Sequence, residues 1–229
     1  KSIICVGREM LDLYRDEKAF CKMDYIYNGC IFKPYEELKK EIVPASQRKN
    51  SVVYIGSIIP TKSFHWLAKA WKNVLKEVPD AELYVIGSGN LYDKDARLGK
   101  YGIASEAYEN EFMPYLTDIK GNIVPSVHFL GKMGEEKNYI LKNVKVGVPN
   151  PSGRSETFGL TAVEMQTMGC HVVTMKCPGY LDTVVCKKHL YTHSYQISNY
   201  IIKALKYPED NFSDTFHQLQ EHQHSYHQV

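Results

Sequence analysis

Several features that would place a protein in a specialised class are missing from this sequence of 229 residues. It has no apolar run near the ~20 residues that span a bilayer, and no signal-peptide pattern at its beginning. Its six cysteines form no CxxC pair, which argues against the usual zinc sites and favours reduced thiols. We therefore predict a protein without membrane spans, disulfides or structural zinc, and place it in the cytoplasm.

Charge of one sign is not in excess either. The sequence has 28 Lys and Arg against 26 Asp and Glu, a formal net charge of +2, so we do not expect a nucleic-acid partner. Hydrophobic residues make up 44% and charged residues 24% of the chain. This composition is typical of a globular protein that buries a core.

Short apolar runs alternate with helical patterns along most of the chain. The predicted strands cover residues 52–56, 83–87, 127–131, 144–148 and 171–175, and the predicted helices cover 64–77, 136–141, 160–168 and 197–205. Such alternation forms right-handed βαβ units with a parallel sheet, and continuously apolar strands fit a sheet covered on both faces. We therefore predict an α/β fold, a Rossmann-like parallel sheet with helices on both faces, which binds ligands where its strands end.

The chain divides into three predicted segments. Residues 1–48 are interpreted as the remnant of a preceding α/β domain with a linker, residues 49–205 as the Rossmann-like domain, and residues 206–229 as a C-terminal helix or tail. The patterns within the first segment are a strand at 2–7, a helix at 10–20, a strand at 25–29 and a charged, proline-containing linker at 33–49. Residues 90–122 form a polar, tyrosine-rich insertion, for which a functional loop and a simple excursion both stay open.

The segment Asn150–Asp182 carries the most specific chemical signal. Glu156 is predicted in the loop after a strand, and Glu164 about one turn into the next helix. Gly159 allows close approach of the backbone to a ligand, and the free amides at a helix start favour an anion. A diphosphate explains the glycine and the helix start, whereas the carboxylates need hydroxyl groups, which a sugar and a ribose supply. A nucleotide sugar has all of these groups.

The stretch SETFGLTAVE at residues 155–164 resembles the motif of the retaining glycosyltransferases of family four, group 1 enzymes with the GT-B fold. In that motif two glutamates are separated by seven residues, and Phe-Gly follows the first. Four further stretches resemble motifs of the family in the same order, namely YIYNG (25–29), GSIIPTKS (56–63), YVIGSG (84–89) and VHFLGKM (127–133). The resemblance covers roughly residues 50–185. It implies that this chain is the C-terminal, donor-binding half of a GT-B fold, and that the N-terminal acceptor domain is missing.

The resemblance also implies roles for single residues. Glu156 is expected to face the donor sugar and Glu164 to bind the ribose, while Lys62 neutralises the leaving diphosphate. Glu156 and Lys62 are therefore the predicted catalytic residues. The predicted donor-binding residues besides Glu164 are Gly56, Ser57, Gly87, Lys132, Met133, Ser152, Arg154, Thr157, Phe158, Gly159 and Leu160.

One departure from the family pattern concerns the positive charge of the phosphate site. The phosphate-binding arginine of the family aligns with Ser57, which leaves Lys62, and we hypothesise that Arg154 substitutes for the arginine. Simpler interpretations also stay open: Glu156 as a helix cap, Glu164 as a solvated helix residue, Lys62 as surface charge and Ser152 as a turn former.

We predict a glycosyltransferase that moves a sugar from a UDP- or GDP-type donor to an acceptor glycan or lipid, in polysaccharide biosynthesis, with retention of configuration. No cofactor or metal is expected, because the family that the motifs resemble generally needs no bound metal, and positive groups with the helix start would stabilise the leaving group. We expect the chain to be incomplete for activity, and any peripheral association with the inner face of a membrane to occur through the missing domain. The alternatives are a non-catalytic nucleotide-sugar-binding domain, or another GT-B enzyme such as a nucleotide-sugar epimerase or a phosphorylase.

Overall fold

The structure is a computed structural model that describes residues 2–30, 33–90 and 97–224. The strands in these residues are β1 (Ile3–Cys5), β2 (Met23–Tyr25), β3 (Ser51–Ile55), β4 (Glu82–Ile86), β5 (Val127–Gly131), β6 (Val146–Val148), β7 (His171–Val172), β8 (Thr174–Met175) and β9 (Leu190–Tyr191). The main sheet is parallel, with strand order β5-β4-β3-β6-β7. Because β6 returns to the other side of β3, the strand order reverses there, and a crevice is expected beyond the ends of β3 and β6.

Helices cover both faces of this sheet. The helices of the described residues are α1 (Arg8–Asp12), α2 (Tyr35–Glu41), α3 (Phe64–Glu77), α4 (Glu106–Phe112), α5 (Lys137–Leu141), α6 (Leu160–Thr167), α7 (Pro178–Thr183), α8 (Ile197–Lys206) and α9 (Phe212–His224). Successive strand side chains point to opposite faces: Val52 and Tyr54 pack with α3 and α8, whereas Val53 packs with α6 and α7. The predicted α/β fold with helices on both faces is therefore confirmed.

The longest helix within the described residues, α3, shows why the sequence folds this way locally. Its buried side chains are Phe64, Leu67, Ala68, Ala70, Trp71 and Val74, which recur at the three- and four-residue spacing of one helix face. Trp71 is fully buried, and its indole N–H donates to Ser126 Oγ at 3.2 Å. Pro79 and Asp80 follow the end of the helix, as the sequence indicated.

The prediction of one strand at 171–175 is wrong in detail, because this stretch changes partner at Val173. β7 pairs with β6, whereas β8 pairs with β9 in a separate two-stranded sheet. The strand predicted at 144–148 begins at Val146, and α7 was not predicted at all. Changes of strand partner depend on contacts distant in sequence, which periodicity does not report.

Before residue 49 the structure differs more from the prediction. The stretch predicted as a linker contains α2, which starts after Pro34 and buries Leu38. Arg48 attaches the end of this stretch to the main domain, because its buried guanidinium donates to four backbone carbonyls, those of Val43, Leu141, Val144 and Met168. The helix predicted at 10–20 is only α1, and the strand predicted at 25–29 is β2, which pairs with β1 outside the main sheet.

The insertion predicted at 90–122 lies partly outside the described residues, since 91–96 are not among them. Its described part contains α4, whose Tyr108 and Phe112 are buried in the core beside α3. Glu109 is 2% exposed and accepts hydrogen bonds from the backbone amides of Tyr101, Ile103 and Ala104. The described part of the insertion is therefore a packed, hydrogen-bonded element.

Candidate functional site

A cleft of about 460 Å³ opens beyond the ends of β3 and β6, at the reversal of strand order. Its lining comes from four places: the end of β3 with the loop after it, the start of α5, the loop after β6 with the first half of α6, and the N-terminal segment. The lining residues are Asn28, Tyr54, Ile55, Gly56, Ser57, Lys62, Lys137, Pro149, Asn150, Glu156, Thr157, Phe158, Gly159, Leu160, Thr161 and Glu164.

Two glycines shape the first wall of the cleft. Gly87 has φ of +140°, and a Cβ atom there would lie 1.9 Å from the carbonyl oxygen of Gly56. The ends of β3 and β4 can therefore approach each other only because position 87 carries no side chain. Gly56 and Ser57 line the cleft, and the Ser57 hydroxyl is buried without a hydrogen-bond partner among the described residues.

The loop after β6 is held in shape by Asn150. The Asn150 side chain donates to the carbonyl of Arg154 at 2.8 Å and accepts from the Ser152 hydroxyl at 3.0 Å. Its backbone amide donates to the buried Tyr180 hydroxyl at 3.1 Å. Ser152 therefore makes the hydrogen bonds of a turn former and lies outside the cleft lining, and its role in donor binding stays a prediction.

The start of α6 forms the floor of the cleft. Gly159 precedes the helix with φ of +90°, and a Cβ atom there would lie 2.7 Å from the ring of Tyr180. None of the described side chains caps this helix start, so Glu156 is not the helix cap that the sequence left open. Uncapped amides at a helix start carry partial positive charge and favour an anion.

Two lysine–glutamate pairs lie in the same cleft. Lys62 Nζ lies 3.1 Å from Glu156 Oε2, and Lys137 Nζ lies 2.7 Å from Glu164 Oε1. The Lys62 and Glu156 side chains are 26% and 19% exposed, and those of Lys137 and Glu164 are 20% and 37% exposed. Neither Lys62 nor Glu164 is therefore a freely solvated charge, and their partial burial weakens screening by salt.

Lys137 was missed in the sequence reasoning, although the sequence contains a signal for it. It is the first residue of α5, where a cation opposes the helix dipole. A charge in an unfavourable local position suggests that a tertiary partner stabilises it, and here that partner is Glu164.

The N-terminal segment contributes the last wall of the cleft, which the sequence did not predict. Asn28 lines the cleft, and its neighbour Tyr27 packs against Phe158 with ring centroids 5.8 Å apart. The Tyr27 hydroxyl and the Glu9 amide each donate to the Asp182 carboxylate at 3.0 Å. Burial raises the pKa of Asp182, and the two donated hydrogen bonds oppose that rise.

Most predicted site residues come together in the cleft, but five do not line it: Gly87, Lys132, Met133, Ser152 and Arg154. Lys132 is exposed and donates to the carbonyl of Asn90 at 3.3 Å, whereas Met133 packs against the apolar cluster near α6. Arg154 is exposed, so the structure does not bring the hypothesised substitute for the family arginine to the cleft.

Two features of the described residues concern the predicted lack of a metal and of a membrane span. No group of three His, Cys, Asp or Glu side chains there is arranged as metal ligands. None of the helices in the same part of the chain combines the length and apolarity needed to cross a membrane. Metal-independent transfer and a cytoplasmic location stay predictions.

The fold has close counterparts among solved structures. Sucrose-phosphate synthase from Thermosynechococcus elongatus has a TM-score of 0.69 at 18% identity, covering 96% of this chain and 53% of that one. HepE from Anabaena, in complex with UDP, has a TM-score of 0.69 at 17% identity, covering 97% and 59%. The pneumococcal O-GlcNAc transferase GtfA, in complex with UDP and GlcNAc, has a TM-score of 0.61 at 18% identity, covering 97% and 41%. The chain spans about half the length of these structures, and its fold is that of a GT-B glycosyltransferase.

Sequence comparison then gives the family. The family model described as "Glycosyl transferases group 1" matches residues 49–205, and the chain belongs to this family. Comparison with individual curated proteins gives no significant match.

Proposed function

We propose that the cleft binds a nucleotide-sugar donor, and that the whole protein transfers the sugar to an acceptor with retention of configuration. The observation that carries this proposal is the pair of lysine–glutamate contacts beside the uncapped start of α6. The lysines and the helix amides suit a diphosphate, and the carboxylates suit the hydroxyl groups of a sugar and a ribose.

The proposed mechanism assigns each group in the cleft a role in bond cleavage. Negative charge develops on the diphosphate oxygen as the sugar–oxygen bond breaks, and Lys62 together with the amides at the start of α6 stabilises it. Once the nucleotide sugar is bound these groups are in place before the bond breaks, so little reorganisation accompanies the reaction; losing one such donor typically lowers the rate by about 10²- to 10³-fold. Glu156 binds the transferred sugar and Glu164 the ribose.

Two solved structures of the same fold support this choice of ligand, since HepE is in complex with UDP and GtfA with UDP and GlcNAc. We extend the ligand class, a UDP- or GDP-type donor, to this chain. A glycan or lipid acceptor, an N-terminal acceptor domain, a role in polysaccharide biosynthesis and association with the inner face of a membrane belong to the same proposal.

The first experiment is a thermal-shift and calorimetric screen of the intact protein with UDP, GDP and their common sugar conjugates. Binding to the folded state alone adds about 2.7 kcal/mol of stability at a ligand concentration of 100 Kd, so we expect a clear rise in Tm. Lys62→Met should reduce this rise, whereas Lys142→Met, which changes a lysine outside the cleft, should not. The absence of binding by every nucleotide and nucleotide sugar would refute the proposal.

A transfer assay separates the alternatives, once binding has been shown. Release of nucleoside diphosphate with transfer of the sugar to an acceptor supports the enzyme. Binding without turnover supports a non-catalytic domain. Conversion of the bound sugar into its epimer supports the epimerase alternative.

A further inference from the structure

Lys62 alone does not neutralise the diphosphate that the cleft is proposed to bind. Glu156 and Glu164 pair with Lys62 and Lys137 in the cleft. The diphosphate of a nucleotide sugar brings about two negative charges, and Lys62 supplies one positive charge. Pairing both phosphate charges in this half-buried site therefore needs a second cation next to the diphosphate.

We infer that Lys137 is this second cation, and that it moves from Glu164 to the diphosphate when the donor binds. This inference rests on the proposed function. Lys62 and Lys137 are the lysines that line the cleft in the described part of the chain, whereas Arg154 and Lys132 are exposed outside its lining.

The required movement is short. Glu164 follows Leu160, the first residue of α6, by four residues, which is a rise of about 6 Å along the helix axis. Lys137 is bound at Glu164 and has a flexible four-carbon stem. Its ammonium group needs to move by about one helical turn to reach the helix start, where the diphosphate is proposed to bind.

The movement also releases Glu164 for its own role. The Lys137 ammonium lies 2.7 Å from Glu164 Oε1. Transfer of that ammonium to a phosphate oxygen frees the carboxylate oxygen to accept a ribose hydroxyl. The Lys62–Glu156 pair, at 3.1 Å, is arranged in the same way for the sugar, so both pairs would open together as one donor enters.

The alternative is that Lys137 stays on Glu164 and only orients it. The two roles differ in the part of the ligand they affect. A lysine that binds the diphosphate contributes to nucleoside diphosphate affinity but not to nucleoside affinity. A lysine that orients Glu164 contributes to both, because the ribose is present in both ligands.

The test is calorimetry of the intact protein with UDP and uridine, and with GDP and guanosine, for wild type and Lys137→Met. We expect the variant to lose about 10- to 100-fold in affinity for the nucleoside diphosphate that wild type binds, the effect of one hydrogen bond to a charged group. Its affinity for the matching nucleoside should be unchanged or higher, since Glu164 is released. Lys137→Arg keeps the charge and should retain most of the diphosphate affinity.

Lys142→Met is the matched control, because Lys142 follows the same helix and pairs with Glu41 at 3.5 Å outside the cleft. Equal loss of nucleoside and nucleoside diphosphate affinity in Lys137→Met would overturn the inference in favour of an orienting role. Unchanged affinity for both would overturn it outright. If wild type binds none of the four compounds, the proposed function itself fails, and this result is distinct from the other two.

Discussion

Substitution of Gly159 by alanine tests the account of the cleft floor most directly. Two costs add at this position. A non-glycine residue at φ of +90° costs about 1–2 kcal/mol, and the new Cβ atom would lie 2.7 Å from the fully buried ring of Tyr180. Overpacking of this kind costs a further ~1–3 kcal/mol. We therefore expect Gly159→Ala to lower the free energy of unfolding by about 2–5 kcal/mol.

The matched control is Gly102→Ala. Gly102 has φ of +69°, but a Cβ atom there has nothing within 4 Å, so only the backbone cost of about 1–2 kcal/mol applies. Urea unfolding followed by circular dichroism measures both variants, and the difference between them gives the cost of the overlap with Tyr180. Because the helix start must shift to relieve that overlap, Gly159→Ala should also bind nucleoside diphosphate more weakly than Gly102→Ala does. Equal stability of the two variants would show that the contact with Tyr180 does not constrain position 159.

Three more predictions concern residues outside the cleft floor. Asp182→Ala removes the acceptor for Glu9 and Tyr27, so hydrogen exchange at residues 2–30 should become faster while β3–β6 stay protected; unchanged exchange would contradict this tether. Arg48→Met leaves buried carbonyls without donors, and we expect a loss of about 1–3 kcal/mol in urea unfolding; a variant as stable as wild type would refute it. Burial lowers the pKa of His189 to about 4 from an ordinary 6.5, so the unfolded chain binds its proton first as pH falls. The free energy of unfolding should then fall between pH 6.5 and 4, by up to ~1.4 kcal/mol per pH unit, and His189→Gln should flatten the slope measured by urea unfolding at several pH values; an equally steep slope in the variant would exclude His189 as its cause.

The main sheet could be predicted because its signals are local. The apolar runs of β3, β4 and β5 and the one-sided pattern of α3 lie within short windows of sequence, and the structure contains them with nearly the predicted bounds. The partner change at Val173 could not be predicted in this way. The apolar stretch from His171 to Met175 has no sequence feature indicating that its first part pairs with β6 and its last part with β9.

Lining residues of the cleft that belong to a sequence motif were predicted. Lining residues that only tertiary contacts bring to the cleft were missed. The motif around Gly159 placed Glu156 and Glu164 in one cleft with Lys62. Lys137 and Asn28 line the same cleft but are distant in sequence from the other lining residues. Lys137 lies 27 residues before Glu164, and Asn28 lies 122 residues before Asn150. Their positions follow from the direction of α5 and from the hydrogen bonds at Asp182, neither of which a short window of sequence contains.

The attachment of the N-terminal segment limits how this protein can be recombined with its relatives. The family match begins at residue 49, which makes that residue the obvious junction for a chimera. In a chimera joined there, most of the cleft would come from one parent protein, whereas Asn28 and Tyr27 would come from the other. If the cleft binds a donor as proposed, donor specificity should be retained only when residues 2–30 are transferred together with the domain that they contact.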